Sequence, residues 1–160
     1  MIKQGLPPLV HKDSKILILG TMPGERSIAL QQYYGNRGNH FWKILFTIFE
    51  KPFSNIYEDR VKLLRDHHIA LWNVLARCER EGSADHAIRN EQPNNFEWLH
   101  ATHPAITHVF FESKSAKKYF TKHCNYKPGI LYGVLPSTSG LNAGMTFAEK
   151  LSLWRVIANL

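Results

Sequence analysis

The segment Lys15–Trp42, KILILGTMPGERSIALQQYYGNRGNHFW, runs an apolar stretch into a glycine-flanked turn, two tyrosines and an asparagine. A plain connection would not need so many polar and aromatic groups after one strand. In the turn Gly20, Thr21, Met22, Pro23, Gly24, the glycines permit tight backbone conformations and Pro23 fixes one φ angle. Such a turn presents backbone N–H groups at a strand's end, suited to an anion or a carbonyl oxygen. As an isolated pentapeptide it reads first as a plain turn. Neither GxxxxGK[ST] nor GxGxxG occurs, which excludes the phosphate-binding loops those patterns mark. The histidines lack the spacing of a zinc site, no GxSxG suggests a serine hydrolase, and Lys114, Lys117 and Lys118 read as a basic helical face. No metal site is expected from these residues. Cys78 and Cys124 form no CxxC pair and read as reduced bystanders.

These residues must be carried by a single domain over 1–160, a length that buries roughly two thirds of its surface. Twenty Lys and Arg against thirteen Asp and Glu give +7, a balance that fits a nucleic-acid partner through displacement of counterions from phosphates. Apolar runs are too short to span a bilayer, and the N-terminal stretch lacks a signal-peptide core, so an intracellular, cytoplasmic protein is expected. Apolar runs at Lys15–Leu19, Ile69–Val74, Thr107–Phe111 and Ile130–Leu135 read as strands. Helical spacing occupies His40–Phe49, Tyr57–His67, Asn94–Thr102, Ser113–His123 and Met145–Ile157. The alternation predicts a parallel sheet with helices on both faces, with ligands beyond the carboxyl ends of the strands. That rule points to Gly20–Gly24, Asn73–Cys78 and Pro136–Asn142 as one site.

The stretches LILGTMPGERS, YYGNRGNHFW, LWNVLARCEREGSADHAI and LPSTSGLNA resemble, in order and spacing, the uracil-DNA glycosylase superfamily. The resemblance is nearest to its hypoxanthine-DNA glycosylase branch, then to the mismatch-specific uracil-DNA glycosylases, and it covers nearly the whole chain. It implies an α/β three-layer αβα sandwich with a central four-stranded parallel sheet. It also implies a monofunctional, usually monomeric, cofactor-free enzyme that flips a deaminated base out of DNA and hydrolyses its N-glycosidic bond.

By that resemblance Gly20, Thr21, Met22, Pro23 and Gly24 lie beside the flipped base. Met22 stands where mismatch-specific relatives carry a water-positioning asparagine, a task beyond a thioether. The resemblance instead assigns the catalytic role to Asn39, whose carboxamide could orient a water but could not act as a strong base. Read without it, Asn39 is first a helix N-cap. Tyr34 matches the aromatic that stacks on the extruded base, while Tyr33 reads as packing. Asn73 could read a base edge, where the branch more usually has Asp. Glu112 stands where Asn is common; it could touch the pocket or simply favour the following helix through its dipole, and we expect the latter. The loop Ser137, Thr138, Ser139, Gly140, Leu141, Asn142 would grip the DNA backbone with its hydroxyls and wedge Leu141 into the vacated stack. Read structurally, that loop caps the last helix with Leu141 as a staple. Arg77 and Arg80 would lie near the DNA face, in what otherwise reads as a solvated loop. The competing functions are a catalytically inactive DNA- or nucleotide-binding module and a hydrolase of free nucleosides.

Overall fold

The computed structural model describes residues 1–142 and 144–160. In chain order its elements are β1 (Ile2–Gln4), β2 (Ile16–Gly20), α1 (Glu25–Leu30), α2 (Phe41–Ile48), α3 (Tyr57–Asp66), β3 (Ile69–Asn73) and β4 (Leu75–Glu79). There follow a 3-10 turn (Asp85–Ala87), β5 (Arg89–Pro93), α4 (Phe96–Thr102), β6 (His108–Phe111), α5 (Lys114–His123), β7 (Leu131–Val134), α6 (Phe147–Trp154) and a closing 3-10 turn (Arg155–Asn159).

The central sheet has the order β3-β2-β6-β7, and every pairing in it is parallel. β2 and β3 are buried along their whole length, which is why they read as unbroken apolar runs. Their side chains alternate between two cores. Ile16, Ile18, Ile69 and Leu71 face α2, α3 and α6 through Phe41, Trp42, Leu45, Leu64 and Trp154. Leu17, Leu19, Ala70 and Trp72 face the other side, against Phe96, Leu99, Ala116 and Phe120 of α4 and α5. Helices therefore cover both faces, and the expected αβα layering is present.

A second, antiparallel sheet of order β1-β4-β5 was not anticipated. Only Leu75 and Cys78 of β4 are buried, so this strand carries no continuous apolar run. β5, RNEQP, is polar and ends in proline, the chemistry of an edge strand. Arg77 thus lies in a strand rather than a solvated loop. The six-residue α1 is too short to show periodicity. The last helix breaks into a 3-10 turn after Trp154 instead of continuing to Ile157. Among the described residues no helix is long and apolar enough to cross a membrane.

Helix starts follow side-chain chemistry. Ser113 accepts from the Ala116 N–H at 3.0 Å and Asn95 from the Trp98 N–H at 3.0 Å. Thr146 and Glu149 form a reciprocal capping box at the head of α6. Thr146→Ala is expected to lower unfolding free energy by about 1 kcal/mol, measured by urea denaturation.

Candidate active site

The sheet register brings the strand ends level: Gly20 lies opposite Asn73, Leu19 opposite Phe111, and Phe111 opposite Val134. The Glu112 N–H donates to the Leu19 carbonyl at 2.9 Å, continuing the ladder one residue past β6. A β-carbon on Gly20 would lie 2.9 Å from Asn73 Nδ2, 3.6 Å from Glu112 Oε2 and 3.7 Å from the Tyr34 hydroxyl oxygen. Side chains from three separate segments therefore close on the bare backbone of Gly20. No other residue type fits there without displacing one of them.

Tyr34 reaches this point from a left-handed backbone conformation, φ 53°. That conformation costs a non-glycine residue roughly 1–2 kcal/mol. It is held by a stack on Phe41, with centroids 3.8 Å apart and planes at 16°, and by the hydroxyl donating to Glu112 Oε2 at 3.2 Å. One face of the Tyr34 ring is thus occupied by Phe41. Tyr33 packs beneath, buried, with its hydroxyl donating to the Pro7 carbonyl at 2.8 Å.

Glu112 departs from the sequence-based expectation. It is only 8 % exposed and faces the Gly20 cluster, so it is not a solvated partner of a helix dipole. Among the described residues no cation forms an ion pair with it. Burial pushes its carboxyl up to about 8, opposed by donation from the Tyr34 hydroxyl and the Thr138 amide and assisted by the Asp85 carboxylate. Burial and the adjoining Glu112 likewise raise Tyr34 well above the ordinary phenol value, so it stays a donor. Three buried polar atoms nearby in the fold, Thr21 Oγ1, Asn73 Oδ1 and Thr138 Oγ1, have no hydrogen-bond partner. The N–H groups of Thr21, Met22 and Gly24 have no backbone acceptor among the described residues. Unused donors and acceptors at strand ends are what a polar ligand would satisfy.

Asn39 sits at the head of α2, half-buried, its Oδ1 accepting from the Phe41 N–H at 2.8 Å. The cap-like bond fixes the carboxamide and leaves its amide nitrogen and one oxygen lone pair. The next residue joins this turn to the late loop, because the His40 N–H donates to the Thr138 carbonyl at 2.9 Å. The loops touch again at Gly140, where a β-carbon would lie 2.9 Å from the Gly38 carbonyl oxygen. Beneath both lies Lys150, 1 % exposed, its ammonium donating to the Ser139 carbonyl at 3.2 Å and facing His40 Nδ1 at 3.5 Å. Burial, then Lys150 and Lys43, push the His40 imidazole below its ordinary value, which leaves it a neutral acceptor for this contact.

The late loop ties itself together. Ser137 Oγ accepts from the Ser139 N–H at 3.2 Å and Ser139 Oγ from the Leu141 N–H at 3.1 Å. The Asn142 amide donates to the Ser137 carbonyl at 3.1 Å, so it shapes the loop. Leu141 projects outward, 89 % exposed, and is no staple. The hydroxyl of Thr138 cannot reach a phosphate as expected, since this residue is fully buried. Arg80 is likewise buried rather than on a DNA face, donating to the carbonyls of Pro23 and Gly82 and bracing the GTMPG turn from behind. A separate cavity of about 170 Å³, lined by Lys15, Phe49, His67 and Thr107, lies at the opposite end of the strands. No group of three metal-ligating side chains occurs among the described residues.

The sequence profile of the uracil DNA glycosylase superfamily matches residues 7–158. The chain belongs to this superfamily, and with it to the DNA glycosylases. A protein of Methanosarcina acetivorans named hypoxanthine DNA glycosylase is 38% identical over 160 residues, covering 98% of each chain. One of the same name from Methanosarcina barkeri is 37% identical over 145 residues, covering 89% of each. The solution NMR structure of a proposed uracil DNA glycosylase from Methanosarcina acetivorans superposes with a TM-score of 0.81 at 33% identity, over 99% of both chains. The four-stranded parallel sheet between helical layers is the architecture of this superfamily.

Two consequences can be measured. Gly20→Ala displaces the Asn73 carboxamide and should reduce base release about ten- to a hundredfold, while unfolding free energy changes by less than about 3 kcal/mol. In the unfolded chain Glu112 returns to its ordinary value of 4.5, whereas in the folded chain it keeps its proton up to about 8. The folded state binds the extra proton between those limits, so stability is greatest below them and falls as pH rises through the window. Urea denaturation across this window should show that slope reduced in Glu112→Gln.

Proposed function

We propose that this DNA glycosylase removes hypoxanthine, and with it uracil, from DNA by flipping the deaminated nucleotide against the strand ends and hydrolysing its N-glycosidic bond. The observation that carries this is the closure of Tyr34, Asn73 and Glu112 on the bare backbone of Gly20, with polar atoms left unpaired around them. Similarity to proteins named hypoxanthine DNA glycosylases supports the choice of base. Glycosidic bonds break through an oxocarbenium-like sugar, so a weakly activated water suffices. The task is to hold charge on the departing base. The free N–H groups of Thr21, Met22 and Gly24 suit it, each such donor being worth roughly 3 kcal/mol.

Asn39, immobilised by its bond to the Phe41 amide, directs water to the sugar with its remaining lone pair. Asn73 reads a base edge with its unpaired oxygen. The face of the Tyr34 ring opposite Phe41 carries the base, stiffened by Phe41 behind it. Leu141 fills the vacated stack, and the Ser137 and Ser139 hydroxyls keep their own protons for phosphate oxygens. The excess of seven positive charges favours a polyanion over a free nucleoside. The enzyme works as a cytoplasmic monomer without a cofactor and without β-elimination.

Oligonucleotides carrying hypoxanthine, uracil or xanthine, treated with the protein and then alkali, test this reading. Scission at hypoxanthine is expected, with Asn39→Ala slower by about a hundredfold or more. An Asn39→Ala variant near wild-type rate removes Asn39 from catalysis. A wild-type protein that binds these strands but cuts none is the inactive binding module.

A further inference from the structure

Glu112 is the group in this site that its expected neighbours do not explain. A buried carboxyl with no cationic partner is costly as an anion and tolerable only with its proton, and a structural role at the end of a central strand would be served by an uncharged residue. Its position is also specific. It extends the β6 ladder by one residue, so it stands at the middle of the sheet's carboxyl edge, where α/β folds place their ligands. Its Oε2 lies 3.6 Å from where a β-carbon on Gly20 would sit, at the point where the Asn73 carboxamide also arrives. The groups facing it are the Tyr34 hydroxyl, the Thr138 amide, the Asn73 amide and, farther off, the Asp85 carboxylate; none is a cation. The Tyr34 hydroxyl is a donor to the carboxyl, so the carboxyl's own O–H remains available to give to another acceptor.

We propose that Glu112 touches the extruded base and donates its carboxyl proton to it as the glycosidic bond breaks. The inference rests on the glycosylase reading above and adds the acid to it. The electron pair of the bond between the anomeric carbon and the base nitrogen stays on the base. The carboxyl proton moves onto a ring nitrogen or exocyclic oxygen of that base, which departs neutral and leaves Glu112 as a carboxylate. Water held by Asn39 forms the new bond to the anomeric carbon and releases a proton to solvent. After the product leaves, Glu112 recovers its proton from solvent. With its carboxyl pushed up to about 8, the residue is charged with a proton at neutral pH and close to balance for giving it up.

The test is single-turnover release of hypoxanthine from duplex DNA, across the pH range around 8, for wild type, Glu112→Gln and Glu112→Leu. Wild type should lose rate above that point as the carboxyl ionises. Glu112→Gln keeps a neutral hydrogen-bond donor that cannot transfer a proton; it should be slower by about ten- to a hundredfold and lack the alkaline fall. Glu112→Leu should be slower than Glu112→Gln at every pH, with the thermal unfolding of both followed by circular dichroism. Should Glu112→Leu fail to fold, the pH profile of Glu112→Gln decides alone. An alkaline fall that persists in Glu112→Gln, or a Glu112→Gln rate within about twofold of wild type, overturns the role of Glu112 and leaves the glycosylase reading intact. A wild-type protein that releases no deaminated base sinks both together.

Discussion

Everything at the strand ends is arranged around a carboxyl group that has been taken out of water without a counterion. Glu112 ends a central strand, and the Tyr34 hydroxyl and Thr138 amide are turned toward it. Through Tyr34 it fixes the turn that leads into α2; that turn holds the loop leading into α6 through the His40 N–H and the Thr138 carbonyl. Two loops distant in sequence are thus set against one another beside a buried acid. The strained backbone of Tyr34 and the close approach of Gly140 to Gly38 lie at the same junction. Lys150 secures the same junction from below, holding the Ser139 carbonyl and the His40 ring.

The sheet supplies the rest. Its parallel register brings Gly20, Asn73 and Phe111 level, so that loops leaving three strands begin at one height. Both faces are sealed by aromatic and aliphatic side chains, which makes the strand ends a rigid base for the loops. The antiparallel sheet has a narrower task. From its far end Arg80 reaches back to the Pro23 carbonyl and stiffens the turn whose N–H groups lack backbone acceptors among the described residues. The chain therefore places exposed chemistry, such as the outward Leu141, on a densely packed support.

Much of this was legible in the residues. The runs ILIL and HVFF read as strands of a parallel sheet, ILIL buried along its length and HVFF fully at Val109 and Phe111, and Ser113 reads as a helix N-cap. The convergence of the Gly20, Asn73 and Ser137 segments followed from the rule that ligands sit at the carboxyl edge of such sheets. The antiparallel sheet was hidden because β4 buries one side only and β5 is polar. For Glu112 pocket contact and the helix dipole were both open, and the dipole was favoured because a glutamate before a serine-capped helix is ordinarily solvated; the sheet register shows that this one ends inside. Thr138 and Arg80 were misplaced for the same reason, since burial is set by packing between distant segments and leaves no local pattern. One signal was available for Glu112: it follows HVFF directly, on the strand that runs to the centre of the sheet.

The protonation of Glu112 in the folded protein is the point on which the rest turns, and it can be observed without any substrate. The side-chain carboxyl carbon of Glu112, assigned by comparison with Glu112→Gln, reports its ionisation directly through its 13C chemical shift as pH is varied. A midpoint near 8 is expected, moving toward the ordinary value of 4.5 when the protein is unfolded in urea. A midpoint at the ordinary value in the folded protein would mean that this carboxyl is an anion at neutral pH, and a buried acid could not be what organises the site.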